Sequence, residues 1–231
     1  MAREESIAHG HRTTALNGQT ETRPAKDYPF LSGMLALDFV NTEVIVRGKR
    51  RELFATPEDV ADWWQQALTH HPNAGQVKAD TDAIVWSAQL LEQIKRVRSA
   101  IRTLCTNLVE QQPVDGEALT ALNTILAMGY LSLEAASGQE IVPMYRTRED
   151  DQGAVLLPIA LSMLQLFTQA DKHRLHKCKN ERCILFFYDT TKSATRQWCS
   201  LECMNRARSL QHYRHVKEGE ETTFLSQESI F

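Results

Sequence analysis

The sequence predicts an α+β fold, in which a mainly helical N-terminal domain with short strands precedes a small four-cysteine module that ends in a helix. Helical apolar periodicity recurs between residues 56 and 170, and short extended runs interrupt it. Four of the five cysteines lie within residues 178–203. We therefore divide the chain into a polar leader, 1–26, expected to be disordered, an α+β domain, 27–171, the cysteine module, 172–217, and an acidic tail, 218–231.

Composition and charge restrict the kind of protein. Hydrophobic residues make up 42% and charged residues 24% of the chain, as in soluble globular proteins. No run approaches the ~20 apolar residues of a membrane helix, and no apolar secretory signal is visible. The sequence thus predicts a cytoplasmic protein with no membrane partner, in which cysteines stay reduced.

The charge is distributed unevenly along the chain. The formal net charge is −3, but residues 172–217 carry 11 Lys and Arg against 3 Asp and Glu. Residues 1–171 carry 15 Lys and Arg against 22 Asp and Glu. This asymmetry predicts a polyanionic partner for the cysteine module, and a solvated charged surface is the alternative.

The first elements of the N-terminal domain follow from alternation and capping signals. Apolar residues alternate over residues 35–40, which predicts a strand, and residues 44–46 predict a second short strand. Thr56, Pro57 and Asp59 form a capping-box pattern that predicts the start of a helix.

The later elements follow from periodicity. Apolar residues at three- and four-residue steps predict one long helix over residues 81–112, and the next helix is predicted to end at Gly129. Two extended runs around residues 137–138 predict a hairpin, and residues 154–170 predict a further helix. Cys105 lies near the stripe of the long helix and is predicted to be a core residue and not a reactive thiol.

Residues 27–171 contain no convincing catalytic motif. They include neither a Gly-rich phosphate loop nor an HExxH sequence, so the sequence predicts a protein that is not an enzyme. Asp38 and Asn41 end the first predicted strand, a place where ligand sites can form, and are weak candidates for ligand binding. Turn and capping chemistry is the alternative for both.

The cysteines of the module are spaced as a metal site. Cys178, Cys183, Cys199 and Cys203 follow the pattern C-x4-C-x15-C-x3-C, and zinc prefers four ligands in a tetrahedron. Ser200 is the predicted N-cap of a helix that begins between the last two cysteines. We expect one structural Zn²⁺, because a segment this short has too small a core to fold alone. Such a closed site leaves no position for a reactive water, and disulfides in an exported protein are the alternative.

The module and the start of the domain both resemble known families. The pattern C-x4-C…F-x-D…W-C-S-x-x-C-x-N-R-A-R…Y-R resembles the CGNR-type zinc finger of bacterial proteins. The segment LALDFVNT, 35–42, is similar to the N-terminal signature of the ABATE domain, and the two resemblances cover about residues 28–217. They imply a bacterial, stress-induced transcription regulator that binds zinc and double-stranded DNA. Met204 stands where the family has Gly and Gln197 where it has Arg, and neither position is a zinc ligand.

The C-terminal helix of the module is the candidate DNA-contacting element. At 100° per residue, Met204, Ala207 and Leu210 share one arc, the predicted buried face, and Asn205 lies opposite. Arginines flank the outer face, where they suit phosphate or base-edge contacts. The predicted DNA-binding residues are Arg196, Asn205, Arg206, Arg208 and Arg214.

Other functions remain open at this stage. The module could be a docking platform for a protein partner, residues 27–171 could hold an enzyme cleft, and oxidation of the cysteines could eject zinc as a thiol switch. A small-molecule ligand of the N-terminal domain and a homodimer are further partners that the sequence allows. We also predict that residues 27–171 have their own core and keep their structure when zinc is removed.

Overall fold

The computed structural model describes residues 26–72, 77–78, 84–135, 140–148, 151–211 and 213–214. The predicted leader, except for Lys26, and the whole predicted acidic tail lie outside the described residues. The division of the chain at residues 171 and 217 stays a prediction.

Six helices and seven strands occur in these described ranges. The helices are α1 Leu35–Val40, α2 Pro57–His70, α3 Ala88–Val109, α4 Gly116–Leu126, α5 Asp151–Thr168 and α6, 201–211. The strands are β1 Glu43–Val46, β2 Lys49–Glu52, β3 Val77–Lys78, β4 Gly129–Ala135, β5 Ile141–Thr147, β6 Leu175–Lys177 and β7 Phe186–Tyr188. The predicted α+β class is confirmed, and none of the described helices has the length and apolar character needed to cross a membrane.

The strands form three small sheets. β1 and β2 pair antiparallel, β6 and β7 pair antiparallel, and β3, β5 and β4 form a three-stranded sheet in that order. β4 and β5 are the predicted hairpin, although its turn lies outside the described residues. Gly129 is the first residue of β4, and a Cβ atom there would lie only 2.6 Å from the Leu157 side chain of α5, so a residue without a side chain suits this position.

The predicted strand over residues 35–40 is wrong, because these residues form α1. All six residues of α1 are buried. A helix that is covered on every side needs no polar stripe, so a run that is almost wholly apolar does not reveal its period. Tertiary packing therefore decided between helix and strand at this position.

Two helix boundaries also differ from the prediction, whereas the capping signals are confirmed. α3 begins at Ala88, where the Ser87 side chain accepts a hydrogen bond from the Leu90 N–H, and not at residue 81. α4 ends at Leu126, before Gly129, because the chain turns there into β4. The capping box of Thr56 and Asp59 begins α2 as predicted.

The described residues form two hydrophobic clusters. The large one surrounds Trp63, Trp64 and Phe39, draws on α1 to α5, and includes Cys105, which is fully buried as predicted. It also contains Leu175 of β6 and Phe186 of β7, which follow the predicted boundary. The small cluster holds Cys178, Leu185, Phe187, Cys199 and Cys203.

Candidate metal centre and nucleic-acid interface

The four cysteines of the module converge on one point. The sulfurs of Cys178, Cys183, Cys199 and Cys203 all lie within 4.8 Å of one another, and Cys183 Sγ is 3.7 Å from Cys199 Sγ. A zinc–sulfur bond of ~2.3 Å places two sulfurs of a tetrahedron about 3.8 Å apart, whereas a disulfide bond is only ~2.05 Å long. The spacing therefore fits four thiolates around one zinc ion.

Asn180 connects the two cysteine pairs. Its side-chain oxygen accepts a hydrogen bond from the Arg182 N–H, and its backbone carbonyl accepts one from Cys183, which closes the turn between the first two cysteines. Its side-chain nitrogen donates to the Cys203 carbonyl at 2.9 Å. Asn180 is buried, so these hydrogen bonds replace contacts with water and fix one pair relative to the other.

The second pair lies at the start of α6. The Cys203 N–H donates to Ser200 Oγ at 3.2 Å, which confirms the predicted cap. The helix start thus positions Cys203 within the cluster of four sulfurs.

Hydrogen bonds among the cysteine thiols shift their pKa values. Hydrogen bonds from Cys183 and from Cys199 lower the pKa of Cys178 well below its usual range. The same hydrogen bonds raise the pKa of Cys183 and of Cys199, because a thiol must keep its proton in order to donate. Four thiolates this close together need a cation, and a divalent metal supplies that charge.

Cys105 contrasts with these four residues. Burial in the large cluster raises the pKa of its thiol to about 12. It does not belong to the group of sulfurs that could hold a metal. It is a packing residue, as predicted.

The loop between β7 and Cys199 is held by a buried carboxylate. Burial alone would raise the pKa of Asp189, but hydrogen bonds from Thr191 and from the Arg196 N–H outweigh it and lower this pKa to about 2. The Arg196 guanidinium lies 4.6 Å from the centroid of the Phe187 ring and donates to the backbone carbonyls of Trp198 and Cys199. Arg196 thus supports the metal loop, and its predicted DNA contact stays a prediction.

The exposed side of α6 carries the other predicted DNA-binding residues. Asn205, Arg206 and Arg208 are exposed, whereas Met204, Ala207 and Leu210 are half-buried, in agreement with the predicted arcs. Arg214 instead forms a bidentate ion pair with Glu181, with N–O distances of 3.0 and 2.7 Å. Contact of any of these residues with DNA stays a prediction.

The module is anchored on the N-terminal domain by the buried side chain of Asn41 and the half-buried side chain of Arg102. Asn41 donates to the Phe186 carbonyl at 2.8 Å and accepts from the Phe186 N–H at 2.9 Å. Arg102 of α3 donates to the carbonyls of Ile184 and Val40. No sequence pattern indicated this role for Arg102, because it depends on contacts 82 positions apart.

The other weak ligand candidate, Asp38, lies behind a cleft. Its carboxylate accepts hydrogen bonds from the N–H groups of Leu31 and Ser32, and it lies 2.8 Å from His71 Nε2. His71 lines a cleft of about 690 Å³ together with Ser162 of α5 and other residues of both parts of the chain. Asp38 itself does not line the cleft, and no sequence pattern indicated a role for His71. Ligand binding by Asp38 or Asn41 stays a prediction.

Comparison with known families gives two matches. The model of the ABATE family, whose description reads "Putative stress-induced transcription regulator", matches residues 33–170. The model of the CGNR zinc finger matches residues 174–215. No curated protein matches the chain. Both resemblances are confirmed, and neither description names a chemical reaction.

Proposed function

Because the chain belongs to the ABATE family and carries a CGNR zinc finger, we propose that it is a transcription regulator that binds double-stranded DNA through the zinc module and senses a small molecule with its N-terminal domain. The observation that carries the DNA-binding part is the exposed, positively charged face of α6. This face begins directly at the metal-binding cysteines, so zinc holds it in one orientation.

The side chains of α6 suit two kinds of DNA contact. Arg206 and Arg208 are exposed and can reach phosphates, which fixes position without reading sequence. Asn205 can pair with an adenine edge, and Arg206 is the alternative reader through a guanine edge. Arg214 would have to leave Glu181 before it touched a phosphate, so we assign it a smaller share of the affinity.

The cleft beside His71 supports the sensing part of the proposal. The described residues of its lining include both apolar and hydrogen-bonding side chains but no Asp, Glu, Lys or Arg. Such a lining suits an uncharged or weakly acidic organic molecule better than a phosphate. Tyr188 and Thr190 of the zinc module line the same cleft, so a ligand there would touch both parts of the chain.

A homodimer is the further partner in this proposal, and the β4–β5 hairpin supports it. Cross-strand neighbours on one face of the hairpin are exposed, including Leu131 at 58%, Leu133 at 72% and Ile141 at 66%. The paired residues of this face, within β4 and β5, include no charged side chain, so a second copy could pack against them without like-charge repulsion.

Titration of a duplex at several salt concentrations tests the DNA-binding part. Each phosphate contact should add about 0.9 to the slope of log K against log salt, because a bound phosphate releases counterions. We expect Arg208→Ala to lower this slope by about that amount and to weaken binding similarly on all sequences. Asn205→Ala should cost about 1–3 kcal/mol on a preferred site.

Arg96→Ala is the control for this titration. It removes one exposed positive charge from α3. Arg98 of α3 faces the β1–β2 hairpin, and Arg96 lies about 200° around the helix from Arg98, so Arg96 points away from the hairpin. Absence of binding at low salt, or binding that does not depend on salt, would reject DNA binding. The zinc module would then be a docking platform for a protein partner.

A further inference from the structure

The β1–β2 hairpin carries an isolated concentration of positive charge. Four of the five residues from Arg47 to Arg51 are basic, and all five are exposed. They lie in the half of the chain that is otherwise acidic. Arg50 forms an ion pair with Glu43, whereas no ion pair within the described residues involves Arg47, Lys49 or Arg51.

The pairing register divides the hairpin into two faces. Residues directly opposite each other in an antiparallel pair point to the same side. Val44 pairs with Arg51 and Val46 with Lys49, so these four side chains share one face. The other face carries Glu43, Ile45, Arg50 and Glu52.

Contacts identify what lies on each side of the hairpin. Glu43 pairs with Arg102 and Glu52 with Arg98, so the acidic residues face α3. Val44 packs against both hydrophobic clusters, the large one and the small one of metal-binding cysteines, where Trp198 also packs. The face that carries Lys49 and Arg51 therefore contacts the zinc module through Val44. α6 begins two positions after Cys199, so the metal-binding cysteines contact the hairpin through Val44 and also lie at the start of α6.

The turn of the hairpin adds an independent observation. Arg47 and Gly48 connect the strands with φ values of 51° and 78°. Two-residue turns of this kind favour Asn or Gly at the first position, because a side chain with positive φ is strained. An arginine in this strained conformation at the tip of an exposed hairpin indicates that its positive charge has a function there.

We propose that the β1–β2 hairpin is a second DNA-contacting element, in which Arg47, Lys49 and Arg51 neutralise phosphates of the duplex that α6 contacts. A two-stranded ribbon fits along or into a DNA groove. The hairpin supplies affinity that does not depend on base sequence, and it gives the ABATE domain a direct part in binding. This inference rests on the proposed DNA-binding function.

The register itself supplies the matched controls. Arg51→Ala and Arg50→Ala remove the same side chain from neighbouring positions on opposite faces. We expect Arg51→Ala to lower the slope of log K against log salt by about 0.9, and Arg50→Ala to change it little. Arg47→Asn should lower the slope as Arg51→Ala does, although it places a residue favoured by the turn and should leave thermal stability equal or higher.

The measurement is fluorescence anisotropy of a short duplex of arbitrary sequence with the full chain at four or more salt concentrations. Zinc content and thermal unfolding of each variant verify that it is folded. If Arg208→Ala lowers the slope while Arg51→Ala and Arg47→Asn match Arg50→Ala, the hairpin inference is overturned and DNA binding by α6 stands. An equal decrease of the slope for Arg50→Ala and Arg51→Ala would also overturn it, since binding would then not depend on which face of the hairpin carries the charge. If the unmodified chain does not bind DNA, the proposed function fails together with the inference.

Discussion

At the scale of single residues, buried amide side chains hold the zinc module in place. Asn41 makes two hydrogen bonds with the backbone of Phe186, and Asn180 connects its own turn to the Cys203 carbonyl. Both amides are buried. A buried backbone group without a partner costs about 1–3 kcal/mol, so each asparagine satisfies groups that water does not reach. The positions of the cysteines therefore depend on residues that are not metal ligands.

The first prediction separates the metal-binding cysteines from the packing cysteine. Cys203→Ser should reduce the zinc content from about one ion per chain to near zero, because the site loses one of its four thiolates. Cys105→Ser should keep the zinc and lower the free energy of unfolding by about 1–3 kcal/mol, because it buries a hydroxyl group in the large cluster. Elemental analysis and denaturant unfolding measure the two effects. Zinc retained by Cys203→Ser, or lost from Cys105→Ser, would contradict the assignment.

At the scale of elements, β7 belongs to both hydrophobic clusters. Successive side chains of a strand point to opposite sides. Phe186 accordingly packs in the large cluster and Phe187 in the cysteine cluster, and both are fully buried. This three-residue strand thus connects the metal centre directly to the core of the N-terminal domain.

The second prediction uses these two neighbouring rings. Truncation of a buried Phe to Ala usually costs about 3–5 kcal/mol. Phe186→Ala should lower the stability of the large core, which is measured by denaturant unfolding followed at the tryptophans of α2. Phe187→Ala should instead speed the release of zinc to a chelator, because its ring packs beside the cysteines and under Arg196.

Each Phe variant is the control for the other. The two substitutions remove the same atoms from adjacent positions, so only the cluster that loses its ring differs. Equal effects of both variants on both measurements would show that the two clusters unfold as one.

At the scale of the whole molecule, the zinc module and the N-terminal domain share contacts over a long sequence distance. Leu175 and Phe186 of the module pack in the large cluster. Arg102 donates to a carbonyl of the module, at Ile184, and to one of the N-terminal domain, at Val40. The sequence-based prediction that residues 27–171 are independent of zinc remains untested. The contacts favour coupling, because removing the ion frees the segment that holds Phe186 in the core.

The third prediction tests this coupling by hydrogen exchange with and without a chelator. Removal of zinc should first expose the amides of residues 178–211. Protection of α1 should then fall as well, because Asn41, which follows α1, loses both of its hydrogen bonds to Phe186 of the module. α4 is the internal reference, since no hydrogen bond within the described residues joins it to the module. Unchanged protection of α1 would support the independent domain that the sequence predicts.

Local signals in the sequence determined the metal ligands, most helices and the family. The spacing within each cysteine pair, the cap at Ser200 and the capping box at Thr56 each depend on residues within a few positions of one another. Such signals act through local backbone geometry, which is nearly the same in every fold. The motifs of both families are of this local kind, and both matches are confirmed.

Only the tertiary structure decided where these parts lie relative to one another. It made residues 35–40 a helix, placed His71 against Asp38, and packed Val44 of the β1–β2 hairpin against the cluster of metal-binding cysteines. Each outcome depends on atoms that are far apart along the chain, such as the 145 positions between Asn41 and Phe186. A run that is buried on all sides has no solvent-facing pattern, and a buried polar pair has no fixed spacing. Neither feature therefore leaves a local signal in the sequence.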